Sequence, residues 1–250
     1  WNGSSSLKWV KPGSFLGNPN GNHHFKHTGK VMGDRPPEPN YSGDGRVMEA
    51  RRQIPTYVPP AVVLPHGKVG QSPTAVEPDA SEGKFGPFAG QMLIGEMNKP
   101  RIMRIITEKV GGKIQGACLP FFDGNGLATG NNRLAFDPDG KTLWVAHSAH
   151  GWAGSRGIQK IKWKGKTPPD LLSINLTPKG FVMIFTAPMD RESASNPDHF
   201  STKLYTYKYH QGYGSPQVSK ETRKPTRVSV SEDGKAISLE FEKMTPRRVY

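Results

Sequence analysis

Histidine, lysine and arginine side chains are the groups here that could do chemistry, and their spacing limits what that chemistry is. His23, His24 and His27 crowd into a Gly/Asn-rich stretch. Imidazoles that close can share a metal ion, but no carboxylate or cysteine stands at a supporting spacing. The same residues therefore also read as a solvated loop, which the pattern favours. His66, in Pro65-His66-Gly67, either faces a ligand or packs under its proline-rich turn. His150-Gly151-Trp152 either reaches a ligand from a loop or serves packing, and Arg156 either contacts an anion or pairs with a carboxylate. Lys160, Lys162, Lys164 and Lys166 alternate with Ile161, Trp163 and Gly165, so a strand would carry the ammonium groups on one side and the apolar groups on the other. Such lysines guard an outer strand against edge-to-edge pairing, or they form a docking surface for an acidic partner. Cys118 is the single cysteine. That excludes an internal disulfide framework, a four-cysteine zinc site and a Cys-x-x-Cys-His haem attachment, and leaves a small buried hydrophobe in a strand. No glycine-rich phosphate loop, Ser-His-Asp arrangement or His-Glu-x-x-His motif is visible.

The elements that must position these residues are strands. The chain has 29 Gly and 23 Pro in 250 residues without a triplet period, which suits short strands and many turns. Residues 1–57 are an irregular Gly/Pro-rich segment, read as an insertion, with one short strand at Leu7-Lys8-Trp9-Val10. Residues 58–166 change texture. Apolar runs of strand length occur at 61–64, 92–95, 101–106 and 113–119, with Gly111-Gly112 as a hairpin turn. The clearest unit is the strand 132–136, the turn Asp137-Pro138-Asp139-Gly140, the strand 143–147 and a third strand at 157–165. Three or four antiparallel strands with such a turn make one β-propeller blade of about 40 residues, and a ring needs at least about four. This segment supplies two or three, so an incomplete ring is expected. Lys166-Thr167-Pro168-Pro169-Asp170 is a linker. Residues 167–250 then carry five strand candidates, at 171–176, 181–186, 204–209, 226–230 and 236–241. Their period-two alternation fits an immunoglobulin-like β-sandwich, with Ser231-Glu232-Asp233-Gly234 as a hairpin turn and Tyr205, Tyr207 and Tyr209 stacked on one face. The expected fold is all-β: a partial β-propeller, its last two or three blades, followed by that sandwich.

The net charge is +13, from 34 Lys+Arg against 21 Asp+Glu, but the basic residues are spread along the whole length and form no recognition module. No nucleic-acid partner is expected. No run approaches the roughly 18 apolar residues of a membrane span. Trp1 is not an initiator methionine, and Arg248-Val249-Tyr250 stop inside a plausible strand, so a piece of a larger secreted protein is expected.

Several separated blocks resemble the glucose/sorbosone dehydrogenase-like propellers. They are residues 86–96 (Gly86-Pro87-Phe88-Ala89-Gly90-Gln91 and onward), 108–118, Gly130-Asn131-Asn132-Arg133-Leu134 and His150-Gly151-Trp152. The opening 7–13, Leu176-Thr177-Pro178-Lys179-Gly180-Phe181 and residues 207–216 are similar too, in particular to the large bacterial type with a sandwich after the propeller and often a c-type cytochrome domain. The resemblance implies oxidation of a sugar or alcohol by hydride transfer to pyrroloquinoline quinone, with calcium polarising the quinone, a histidine base, and electrons passed to a cytochrome. It also implies a periplasmic or extracellular location. Relatives hold the quinone's carboxylates with a lysine in the loop after a strand like 92–95 and with two arginines before the next Asp-Gly turn. Here Asn98 and Lys99 occupy that loop, Arg133 stands at one arginine position, and Asn131 or Asn132 replaces the other. These five are the expected cofactor contacts; His66, His150, Trp152 and Arg156 are expected ligand contacts on the same face. The base and the calcium loop would lie upstream, so no catalytic residue is expected among these 250. The alternative is a non-catalytic propeller that binds carbohydrate or protein.

Overall fold

The computed structural model describes residues 5–17, 24–33, 35, 46–210 and 214–250. His23 and residues 211–213 of the motifs above lie outside them. The regular structure of the described residues is mostly strand, arranged in several small antiparallel sheets with no closed barrel. In chain order the strands are β1 (Ser6–Leu7), β2 (Val62–Val63), β3 (Pro73–Pro78), β4 (Met92–Glu96) and β5 (Arg101–Val110). There follow β6 (Lys113–Asp123), β7 (Asn131–Phe136), β8 (Thr142–His150), β9 (Ala153–Lys162) and β10 (Leu171–Thr177). The last five are β11 (Gly180–Phe185), β12 (Thr202–Tyr207), β13 (Gln217–Arg223), β14 (Arg227–Val230) and β15 (Ala236–Glu240). Two short helices, α1 (Phe25–Met32) and α2 (Arg191–Ser195), interrupt them. No helix among the described residues is long and apolar enough to cross a membrane.

His24 and His27 are not in an open loop: His24 caps α1 and His27 lies within it. No proline falls between residues 24 and 32, so nothing breaks the helix until Gly33, whose φ of 77° ends it while its N–H bonds the carbonyl of Gly29. Among the described residues, no group of three or more His, Cys, Asp or Glu is placed to hold a metal.

The chain divides into two compact units. The first comprises residues 1–63, 201–223 and 245–250. Its β1 pairs with β2 and its β12 with β13, and Val47, Ala50 and Ile54 pack with Tyr57, Tyr205, Tyr207 and Tyr209 in one core. Tyr57 and Tyr209 lie 5.3 Å apart between ring centroids, and Tyr205 and Tyr207 5.5 Å. Gly17, at φ +71°, lets the chain cross this aromatic cluster, since a Cβ there would stand 2.3 Å from the Tyr57 ring.

The second unit comprises residues 64–200 and 224–244. Two antiparallel meanders follow the chain in order, β3-β4-β5-β6 and then β7-β8-β9. Between them Leu93 and Ile102 of the first pack with Leu134, Leu143 and Val145 of the second, joined by Phe85, Phe136 and Trp163. The turn at residues 137–140 is closed by the Gly140 N–H on the Asp137 carbonyl at 2.9 Å. A further sheet, in the order β10-β11-β15-β14, buries Ile237, Leu239 and Phe241 beneath α2 and its flanks. Four of the five strands expected beyond residue 170 are in that sheet. The fifth, β12, pairs with β13 and stands with Tyr57 in the first unit, because its alternating tyrosines complete an aromatic core there.

Arg104 explains why one unit runs through the linker at residues 166–170. Its side chain is wholly buried and stacks its guanidinium 3.9 Å from the centre of the Phe88 ring. It donates to Gln91 Oε1 at 2.8 Å, to the Leu171 carbonyl at 2.7 Å and to Asp170 at 3.3 Å. Glu108, farther along β5, accepts the Leu176 N–H at 3.1 Å. Both ends of β10 are thus tied to the first meander by hydrogen bonds to charged groups, the stronger class.

Candidate functional site

All nine residues singled out from sequence lie at one end of the two meanders. The loop 97–100 joins β4 to β5, β7 begins at Asn131, the β8–β9 hairpin turns at residues 150–153, and the turn 65–70 precedes β3. Antiparallel pairing in order along the chain brings these connections together.

The anchor of this end is Glu96, fully buried at the last position of β4. Its carboxyl accepts the backbone N–H groups of Gln71 at 2.7 Å, Ser72 at 2.9 Å and Asn98 at 2.9 Å, which fixes the turn before β3 and the loop after β4 at once. Lys99 donates its ammonium to the Gly67 carbonyl, beside His66. Arg101 donates to the carbonyls of Lys68 and Val69 at 2.6 and 2.8 Å and pairs with Asp123, whose carboxyl it holds below the usual range through that hydrogen bond. His66 itself is exposed.

The second meander meets this anchor through Asn131, which has no solvent exposure. Its amide donates to the carbonyls of Glu96, Lys99 and Arg101 at 3.2, 3.3 and 3.2 Å. Its carbonyl accepts from the Thr74 hydroxyl. The close approach needs Gly95, because a Cβ there would lie 2.1 Å from the Asn131 carbonyl oxygen. Asn132 donates to the Ser148 hydroxyl at 2.8 Å, and the exposed Arg133 folds back on the Asn132 carbonyl at 2.8 Å. His147, the cross-strand partner of Asn131, is buried and contacts the Thr129 carbonyl through Nδ1 at 3.1 Å.

His150 and Trp152 stack loosely at the hairpin tip, 5.4 Å between ring centroids, with Trp152 54% exposed. Arg156 is exposed on β9. The structure therefore gathers Asn98, Lys99, Asn131, Asn132 and Arg133 around one junction, with His66 beside Lys99, and leaves His150, Trp152 and Arg156 on the outer hairpin. Glu96, Arg101 and His147 belong to the junction and carried no sequence signal of their own beyond Glu96 closing an apolar run. Among the described residues, Asn98 Oδ1, Arg101 Nε, Asn131 Oδ1 and His147 Nε2 are buried there without a protein partner. Unpaired buried polar atoms are rare and mark places where water or a polar ligand is held. Burial pushes the Cys118 thiol up to about 12, which disfavours the nucleophilic thiolate form. Comparison with known protein families, curated proteins and solved structures finds no match.

Proposed function

We propose that the two meanders are consecutive blades of a β-propeller of the glucose/sorbosone dehydrogenase-like kind, and that their shared end binds a small carboxylate-bearing ligand, pyrroloquinoline quinone in the redox reading. One observation carries this: β7 lies beside β3 and β4, so that the loop of Lys99 meets the start of β7 within a single junction. Lys99 and Arg133 offer an ammonium and a guanidinium there, the groups that suit carboxylates. When bound, the quinone would supply the hydride acceptor for a sugar or alcohol. The chain's own share is to hold its carboxylates at Lys99 and Arg133 and to keep their loops in register through Glu96 and Asn131. The base, the calcium site and a cytochrome acceptor belong to polypeptide outside these residues in this proposal, as does the extracellular setting.

A second reading, a binding propeller without redox chemistry, is favoured by Asn131 and Asn98. The Asn131 amide is committed to three carbonyls, and the unpartnered oxygens of both residues are acceptors. Acceptors suit a hydroxyl or an ammonium and repel a carboxylate. The test adds the quinone and calcium to the protein with its remaining blades and follows quinone binding and dye reduction with a panel of sugars and alcohols. Binding that is lost in Lys99→Met/Arg133→Met, with turnover, supports the redox reading. Sugar binding without quinone binding leaves the second reading.

A further inference from the structure

The two ends of the meanders differ in charge. The end that carries Lys99 and Asn131 holds Lys68 in the turn before β3, Lys99 and Arg101 at the β4–β5 loop, Arg133 at the start of β7 and Arg156 on β9. Its acids are Asp123 and Glu96, and both are taken. Arg101 pairs with Asp123, and the buried Glu96 carboxyl accepts the backbone N–H groups of Gln71, Ser72 and Asn98. Among the described residues, no carboxylate pairs with Lys68, Lys99, Arg133 or Arg156. Lys99 and Arg133 meet neutral oxygens, those of Gly67 and Asn132, which leave their charge in place. The opposite end mixes its signs: Asp79, Glu82 and Lys84 lie between β3 and β4, and Asp137, Asp139 and Lys141 between β7 and β8. Like charges gathered at one end without counter-ions raise a field that draws an anion.

The same end presents an aromatic platform. His150 and Trp152 lie 5.4 Å apart between ring centroids at the β8–β9 hairpin, and Trp152 is 54% exposed. A pyranose can lay its C–H face on such a ring while its polar substituents reach the groups around it. We infer that this end binds an acidic saccharide, a chain of uronate units stacked at Trp152 with carboxylates on Lys68 and Arg156. A guanidinium and an ammonium are the partners that suit carboxylates. Arg156 belongs to the hairpin of Trp152 and Lys68 to the first meander, so a chain rather than a single unit meets both. Lys99 and Arg133 are left to the quinone. The acidic saccharide therefore rests only on this end being a ligand face, in either of the two forms proposed above. A single-stranded nucleic acid is disfavoured, because it stacks on successive platforms along its path, and His150–Trp152 is the one exposed ring pair described at this end.

The probe is an oligogalacturonate labelled at its reducing end, beside its fully methyl-esterified form, which keeps the sugar skeleton and removes the charge. Fluorescence anisotropy on the intact chain should show the acid form binding about tenfold or more tightly than the ester, with added salt narrowing the ratio. Lys68→Glu/Arg156→Glu should weaken binding of the acid form by about tenfold, whereas Lys84→Glu/Lys141→Glu at the opposite end should not. Trp152→Ala should weaken it by about fivefold. All these positions are exposed, and circular dichroism checks that the variants stay folded. Equal binding of acid and ester would overturn the acidic class and keep the end as a sugar site. Quinone binding with neither saccharide bound would overturn the proposal and keep the redox reading; no binding of saccharide or quinone would overturn both. An equal loss in Lys84→Glu/Lys141→Glu would also overturn it, as would single-stranded DNA bound with the same sensitivity to Lys68→Glu/Arg156→Glu.

Discussion

Asn131 shows how one residue type can occupy an expected binding position and do a different job. Its amide gives up every solvent contact to serve three carbonyls on two strands and the loop between them. A buried group that loses its partner costs more than the hydrogen bond contributes, so Asn131→Ala should destabilise the second unit by about 2–4 kcal/mol: three bonds of a buried amide go, although the Lys99 carbonyl keeps the Arg101 N–H at 2.8 Å. Asn132→Ala removes one partly buried bond to Ser148 and should cost about 1 kcal/mol or less. Urea titration followed by tryptophan fluorescence separates the two; similar losses would mean that Asn131 does not hold the junction. The cations of this end were legible from residue type and loop position, but the roles of Asn131 and Glu96 were not. A sequence shows that an asparagine begins a strand. It does not show which carbonyls converge on that asparagine, because these come from residues about 30 positions away, and only tertiary packing sets their distance.

Elements repeat the lesson at larger scale. β4 to β9 announced themselves through apolar runs, period-two alternation and glycine turns, and those signals are local. β3 begins and ends in proline, and β13 reads Gln217-Val218-Ser219-Lys220-Glu221-Thr222-Arg223, so neither carries a hydrophobic period. Each is a strand because a neighbour, β4 or β12, has backbone groups to satisfy. The join between the first meander and β10 was equally hidden, since Arg104 sits in a run of apolar residues, Ile102-Met103-Arg104-Ile105-Ile106, with nothing to show its partner. Burial lowers the pKa of that guanidinium and Asp170 opposes the shift, which means the carboxylate compensates a charge with no access to water. The two partners are therefore not equivalent. Asp170→Ala leaves a buried cation uncompensated and should cost about 3 kcal/mol or more, whereas Arg104→Met removes the buried charge, keeps the packing on Phe88 and should cost about half as much. Chemical denaturation of both variants checks the order; the reverse order would mean that the ion pair, not the desolvated charge, dominates.

On the scale of the whole molecule, the chain passes between its two compact units at residues 63–64, 200–201, 223–224 and 244–245, yet each unit has its own core. That core decides how far a local lesion spreads. Tyr57 packs on Tyr209 within the first unit, and Tyr57→Ala should remove about 3–5 kcal/mol from that core. Local opening follows cooperative units, so the loss belongs to the amides that the tyrosine core protects. Native-state hydrogen exchange should show faster exchange at Tyr205 and Val249, whose N–H groups bond each other's carbonyls at 3.0 and 2.8 Å. The amides of Phe185 and Phe241, bonded to Lys235 and Lys179 at 2.8 Å around the sheet β10-β11-β15-β14, should keep their rates. Equal acceleration in both sets would show that the four chain crossings couple the units into a single cooperative body. Unequal acceleration would mean that the tyrosine core and the blade junction can be altered separately, which is the condition for changing Lys99 or Lys68 without disturbing the rest.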